Sequence, residues 1–348
     1  MKIHELGVKI GSLGRGTLDS IADVSGITVG HHTVDDVYHR TGVTVLLPCH
    51  DIADTYLRPF PAAAFVSNGF GKSCGIAQID ELGTLETPIV FTGTLNVGAM
   101  HDALAGEVRD ALAAKNIRLR TVNPIICECN DNTLGDNGDR PVHACHLRRA
   151  ISLAARDFAE GDVGAGRGMI CHDLKGGIGS ASRVFDVGGK TYTLGVMTLT
   201  NYGALRDLRV NGSAAGEKIY AAIAENDNGG DSGSVIVAAA TDAPLSSRQL
   251  KRIAKRAAVG LARCGSYFGH GSGDFFFAFS TANRPSQGDS AVREVRVLSE
   301  NRMDVFFRAM AEATEEAVLN SMLNAAPSAG FDGRIVRSLA QFIPILRQ

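Results

Sequence analysis

Neither sign of charge is in excess in this chain of 348 residues. Its 35 lysines and arginines face 37 aspartates and glutamates, for a formal net charge of −2. That balance gives no electrostatic footprint for nucleic acid or an anionic membrane surface, and neither is expected as a partner. Long apolar runs are also missing. No stretch approaches the ~18 uninterrupted apolar residues of a spanning helix. The N-terminus, MKIHELGVKIGSLGRG, lacks an apolar segment of signal-peptide length. A cytoplasmic location is therefore expected. Cysteine is sparse, and its odd count of seven argues against a secreted disulfide framework and for reduced thiols. There is no internal repeat. SNGFGK places Gly69, Gly71 and Lys72 close together, but without the spacing of a phosphate-binding loop, so no nucleotide is expected.

Glycine, by contrast, is plentiful. The 40 glycines are scattered without a period and read as tight turns. Between them lie short strands at Ile27–Gly30 and Val43–Pro48, with the polar HHTVDDVYHRTG as the loop between, and further strands at Ala62–Ser67 and Thr121–Cys127. Apolar residues at helical spacing run through Ala103, Leu104, Val108 and Leu112. They recur over Leu147–Ala159, over Ala214–Asn226 and from Met303 to Asn324. Ser246 and Gln249 stand in capping-box spacing ahead of a stripe of Leu250, Ile253, Ala257 and Leu261, which predicts one helix. Strands and helices come in groups instead of strict alternation, which disfavours a doubly wound parallel sheet. The grouping fits a single domain over residues 1–348 with central sheets covered by helices.

Two histidine and cysteine groupings invite a metal reading. His31 and His32 are adjacent and, on a strand, point to opposite faces. Cys127, Cys129, His143, Cys145 and His146 fall close together, but at spacings awkward for tetrahedral closure. They read as buried thiols and a helix N-terminal region, and no metal or other cofactor is expected.

The most informative stretch is NDNGGDSGSVIVAAATDAP, from Asn226 to Pro244. A glycine-rich polar segment meets a continuous apolar run, Val235–Ala240, of the kind a strand shows when both its faces are covered. Ser234 stands at the junction and would open a central strand. Gly229, Gly230 and Gly233 allow strained backbone just before it. A strained Gly233–Ser234 peptide beside a hydroxyl is set up to rearrange to an ester and hydrolyse.

GSVIVAAATDAPLSSRQLKRIAKRAAVGLAR and GHGSGDFFFAFSTAN, with LGTLETPI and SNGFGK upstream, resemble the L-aminopeptidase/D-esterase family that also contains the β-aminopeptidases. The motifs occur in the family's order, and the resemblance spans roughly residues 15–345. It implies an α+β fold, a four-layer α/β/β/α sandwich. It also implies a precursor that cuts itself between Gly233 and Ser234 into fragments 1–233 and 234–348, which stay associated. The resemblance further implies a homo-oligomer, a tetramer. The activity implied is an aminopeptidase or amidase acting on short peptides, amides or esters through an acyl-enzyme on Ser234. The same architecture also serves endo-acting amide-oligomer hydrolases and acyltransferases, and a non-catalytic binding protein would be a different class.

A serine hydroxyl needs a base, and the α-amine freed by cleavage has an ordinary pKa of ~7.7–8.0, far closer to neutrality than a lysine. Ser272 and Asp274 alternate in GSGD, so an extended chain points both side chains the same way. They match the family's catalytic pair, with Asp274 stabilising the ammonium and Ser272 orienting it. Asn201 matches the position whose amide serves beside the nucleophile. The ECNDNTLGD loop matches the pocket wall, with Glu128 for the substrate's amino group and backbone donors around Leu134 and Gly135. Here the chain departs from the family at Asn130, where some members carry an aromatic residue, and at Gly135, where asparagine is common. Substrate preference is not fixed by the resemblance.

Overall fold

The computed structural model describes residues 1–223, 233–285 and 291–347. Gly229 and Gly230 of the central stretch lie outside the described residues. The chain begins its sheets with an antiparallel hairpin, β1 (Thr28–Asp35) and β2 (Arg40–Leu47), in which Thr28 faces Leu47 and Asp35 faces Arg40. Most of the polar HHTVDDVYHRTG stretch is therefore strand, not loop. Its polar side chains find partners along the ladder, as His31 Nδ1 does with Thr44 Oγ1 at 2.9 Å, so polarity does not break the pairing. Next come α1 (Ile52–Leu57), β3 (Phe60–Gly69), α2 (Ile76–Leu82) and the short β4 (Thr84–Leu85). They are followed by β5 (Ile89–Gly93), α3 (Val97–Ala113), β6 (Ile125–Cys129) and α4 (Ala144–Ser152).

The helix expected over Leu147–Ala159 is shorter and starts earlier. Beyond Ser152 the backbone turns extended, and Ala155 exchanges both hydrogen bonds with Val29 of β1, at 2.9 and 3.0 Å. Pairing with a sheet edge outweighs helical periodicity there.

A two-residue hairpin, β7 (Ile170–Cys171) and β8 (Leu174–Lys175), precedes the long strands β9 (Gly177–Val187) and β10 (Lys190–Asn201), which turn at Gly188–Gly189 as expected. Helix α5 (Ala215–Ile223) leads toward β11 (Ser234–Thr241). Ser246 caps the next helix with the expected capping box, but the single predicted helix divides into α6 (Ser247–Ala254) and α7 (Ala257–Arg263). Strand β12 (Gly273–Ser280), helix α8 (Asp304–Leu323) and a small hairpin, β13 (Ser328–Ala329) with β14 (Ile335–Val336), follow.

The strands form a four-stranded sheet in the order β1-β2-β5-β6 and a six-stranded sheet in the order β4-β3-β12-β11-β10-β9. In each sheet one pair is parallel, β5 with β6 and β11 with β12. Side-chain alternation then builds three apolar layers. Ile236, Ala238 and Ala240 of β11 and Phe275, Phe277 and Phe279 of β12 fill the gap between the sheets, with Phe91, Ile125 and Cys127 opposite. Val235, Val237 and Ala239 point the other way, onto α6, α7 and α8. Val43, Val45 and Ile126 of the smaller sheet pack outward on α3 and α4. The arrangement is the four-layer α/β/β/α sandwich. Among the described residues no helix is long and apolar enough to cross a membrane.

Helix α8 is buried nearly all round, so an amphipathic stripe understates it. Its acids Glu312 and Glu316 are met by the fully buried Arg183, at 3.2 and 2.7 Å, and Arg15 reaches Glu316 at 2.8 Å. His4, Asp19 and Glu316 cluster at the same place. The two guanidinium groups already neutralise those carboxylates, which opposes a metal ion there.

Candidate active site

Strand β11 begins at Ser234, the edge of its apolar run, and sits between β10 and β12 in the larger sheet. Ser234 shares the parity of Ile236 and therefore points toward the gap between the sheets. In register, Ser234 lies opposite Asn201, the last residue of β10, and opposite Gly273, the first of β12. Three sequence-remote residues are thus brought to one end of the sandwich. Ser234 is 5% exposed, so it opens onto the cleft while the rest of its strand is closed off.

Gly233 precedes it with φ 144°, a conformation that side chains resist, and a β-carbon there would meet the Asn201 carbonyl oxygen at 1.9 Å. The Gly233 carbonyl oxygen accepts the Gly273 N–H at 3.1 Å. A donor on that oxygen polarises the very carbonyl that Ser234 would attack. Gly273 is itself required by space, since a β-carbon would meet the Phe70 carbonyl oxygen at 2.6 Å. Sequence reasoning passed over Gly273, because its role depends on a strand pairing.

Ser272 Oγ donates to Asp274 Oδ1 at 2.6 Å, and both residues are buried, as the alternation in GSGD implied. The Asn201 side chain is fixed at both ends. Its Oδ1 accepts the Ile170 N–H at 2.9 Å, and its Nδ2 donates to the Asn130 carbonyl at 3.0 Å, leaving one N–H. Ile170 belongs to the small hairpin β7–β8, which Lys175 anchors from inside. Its buried ammonium donates to the carbonyls of Met169 (2.8 Å), Gly176 (3.1 Å) and Gly166 (3.2 Å), and burial pulls its pKa down to about 7.

The facing sheet contributes the floor. Glu128 is the penultimate residue of β6, 2% exposed, with Oε1 accepting the Lys72 N–H at 2.7 Å and Oε2 accepting the Thr94 hydroxyl. Next to it, the Cys129 thiol lies within hydrogen-bonding reach of Ser234, and burial pushes its pKa well up. The loop after β6 lines the cleft through Asn130 and Thr133, not through the expected Leu134 and Gly135. The Gly135 N–H is engaged by the Asp131 carbonyl at 3.2 Å, while Leu134 is buried and its carbonyl accepts the Phe331 N–H at 3.0 Å. The Gly135 donor is therefore already used within the turn, whereas the bond at Leu134 occupies its carbonyl and not its N–H. Asp131 turns inward beneath this loop, and burial pushes its carboxyl up to about 6.

The cleft has a volume of about 370 Å³, in the range of small-molecule sites. Phe70, Lys72, Asp173 and Arg334 also line it. None of the four was a site residue on sequence grounds. Lys72 belonged to the SNGFGK segment, and Arg334 comes from a hairpin far along the chain.

No metal set forms from the sequence groupings. Cys127 and Cys129 face the inter-sheet layer, whereas His143, Cys145 and His146 belong to the N-terminal end of α4 in the outer layer, across the smaller sheet. His31 bonds Thr44, and His32 stacks on His146 with ring centroids 4.6 Å apart, on opposite faces of β1.

A layered α/β/β/α sandwich with a serine opening a central strand behind a glycine that no other residue could replace without strain, at the mouth of the inter-sheet gap, defines a serine N-terminal-nucleophile hydrolase. Comparison with known proteins agrees. The profile of peptidase family S58 matches residues 19–336. A β-peptidyl aminopeptidase, BapA, from Sphingosinicella microcystinivorans is 36% identical over 347 residues, covering 93% of this chain and 86% of its own. Among solved structures, a β-aminopeptidase from Burkholderia sp. superposes with a TM-score of 0.90 at 38% identity, over 100% of this chain and 98% of its own. The L-aminopeptidase D-Ala-esterase/amidase from Ochrobactrum anthropi, described as a prototype serine aminopeptidase with a variant N-terminal-nucleophile hydrolase fold, gives 0.90 at 31% identity, with 100% and 98% covered. The chain belongs to peptidase family S58.

Proposed function

We propose that this protein is a self-activating aminopeptidase and amidase that cuts its own chain between Gly233 and Ser234 and then uses Ser234 as nucleophile. The observation that carries the reading is the junction itself. Ser234 opens a buried central strand, Gly233 before it holds a conformation and a close approach that only glycine allows, and the Gly233 carbonyl is held by the Gly273 N–H. In the processing step, Ser234 Oγ attacks the Gly233 carbonyl carbon and the C–N bond breaks. The Ser234 nitrogen leaves as a free amine, and water hydrolyses the resulting ester.

In the mature site, the α-amine takes the Ser234 hydroxyl proton as Oγ attacks the substrate's carbonyl, then passes that proton to the departing amine. Water next attacks the acyl-ester and releases the acid. Asp274, held by Ser272, stabilises the ammonium, and the remaining Asn201 Nδ2–H serves the developing oxyanion. Glu128, at the floor, takes the substrate's amino group, with Asn130 and Thr133 as walls. The similarity to β-peptidyl and D-Ala-ester hydrolases supports small N-terminal residues as the acyl part.

Residues 1–233 and 234–348 remain one folded body in this reading, and copies of it assemble into a homo-oligomer, a tetramer by resemblance. The seven free cysteines suit a reducing compartment, the cytoplasm. The test is an intact-mass spectrum of purified protein together with turnover of a small aminoacyl amide. Processed mass with turnover is the expected result. Turnover by a chain that stays at the uncut mass would refute the N-terminal-nucleophile mechanism.

A further inference from the structure

The cleft carries charges of both signs, and its two lining carboxylates differ in setting, since the exposed Asp173 accepts the Leu205 N–H through Oδ2 at 2.9 Å. Glu128 is buried at the floor, whereas Lys72 and Arg334 are exposed at the mouth. Lys72 Nζ stands over the Phe70 ring, 5.1 Å from its centroid, and no carboxylate among the described residues lies within ion-pair distance of Lys72 or Arg334. Arginines that are buried or half-buried, such as Arg183, Arg15 and Arg167, are paired with carboxylates, whereas the exposed Arg334 has no such partner among the described residues. Arg334 is also held in place. Its hairpin, β13–β14, is tied to the loop after β6 by the Phe331 N–H to Leu134 carbonyl bond at 3.0 Å, and its own turn is closed by the Gly330 N–H to Arg334 carbonyl bond at 2.7 Å.

We propose that the cleft reads both ends of a dipeptide, with Glu128 taking the N-terminal ammonium and Lys72 with Arg334 taking the free C-terminal carboxylate of the leaving residue. This rests on the aminopeptidase reading above and adds the substrate class. The direction follows from depth. With the amine at the buried floor and the scissile carbonyl at Ser234, the residue beyond the scissile bond extends toward the mouth, where the two cations stand. The volume of about 370 Å³ suits a dipeptide better than a long chain. Two cations with no carboxylate partner among the described residues, at the exit of a small cleft, complement an anion, and the guanidinium fork of Arg334 matches a carboxylate.

The experiment compares kcat/KM of the processed enzyme for Ala-Ala, for its C-terminal amide and for Asp-Ala amide. Ala-Ala is expected to exceed both amides by about tenfold or more, the effect of one or two charge-assisted hydrogen bonds. The preference should shrink in ~1 M salt, where screening reaches within ~3 Å. Arg334→Gln and Lys72→Met should each lower the acid-to-amide ratio, and the double variant should bring it near one. Equal rates on Ala-Ala and its amide, or an unchanged ratio in the double variant, overturn the proposal while leaving the hydrolase reading intact. Asp-Ala amide turned over as well as Ala-Ala overturns the assignment to the leaving residue. No turnover of any of the three by fully processed protein overturns the proposal, and the aminopeptidase reading falls with it if a β-alanyl amide is also left uncut.

Discussion

Replacing Gly233 with alanine tests the processing mechanism at its narrowest point. The residue holds φ 144°, where a side chain costs ~1–3 kcal/mol in backbone strain alone. Its β-carbon would also fall 1.9 Å from the Asn201 carbonyl oxygen and 2.9 Å from the carbonyl carbon, both of them backbone. Backbone cannot rotate aside as a side-chain tip can. To restore ordinary van der Waals distance, the Gly233–Ser234 junction and the end of β10 must separate by roughly 1.5 Å. That movement opens the Asn201–Ser234 pairing and shifts Ser234 relative to the carbonyl it attacks. A displacement of ~1 Å in a reacting pair costs on the order of 10²-fold in rate, so self-cleavage should slow by at least that factor. The rest of β11 is undisturbed, and the variant is expected to fold. The assay follows the uncut 348-residue chain by intact mass after a synthesis pulse, with a thermal melt as the folding check. Wild-type cleavage kinetics in a folded Gly233→Ala protein would show that strain and close approach at this peptide have no part in the reaction.

Three further outcomes are expected. After cleavage the fragments 1–233 and 234–348 should co-elute at the native size and part only in denaturant, because β11 of the second fragment is inserted between β10 and its own β12 and is buried throughout. Separation in native buffer would contradict the shared core. Asp274→Asn, assayed on processed protein, should lower turnover of an aminoacyl amide by on the order of 10²-fold while the melting temperature is maintained. Near-normal turnover would reduce the buried Ser272–Asp274 pair to a turn element. Finally, burial raises the Asp131 carboxyl from 3.8 to about 6, so the folded protein holds a proton between those pH values that the unfolded chain has lost. Stability from this group is present below about 4 and is lost as pH rises through about 6, on the order of 3 kcal/mol in all. Asp131→Asn, neutral throughout, should therefore raise the melting temperature over wild type at pH 7.5 and lose that advantage at pH 4. An equal offset at both pH values would show that the carboxyl is not raised by burial.

The sequence by itself determined a good deal. The unbroken apolar run Val235–Ala240 read as a strand covered on both faces, and Gly-Ser before it marked where that strand begins. The alternation in GSGD put Ser272 and Asp274 together, because side chains two apart on an extended chain share a face. The capping box at Ser246 was also legible, being a bond between residues three apart. Features fixed by remote partners were not. Helix α4 stopped at Ser152 because Ala155 pairs with Val29. Asn201 faces Ser234 through register between strands, and its amide is aimed by Ile170 and Asn130. Tertiary structure alone turned Gly135 away from the cleft, placed the Gly273 N–H on the Gly233 carbonyl and carried Arg334 to the cleft mouth. Local patterns encode periodicity and short-range bonds. The direction of a backbone donor and the meeting of charges across sheets depend on which chain segment packs alongside, and only the folded sandwich decides that.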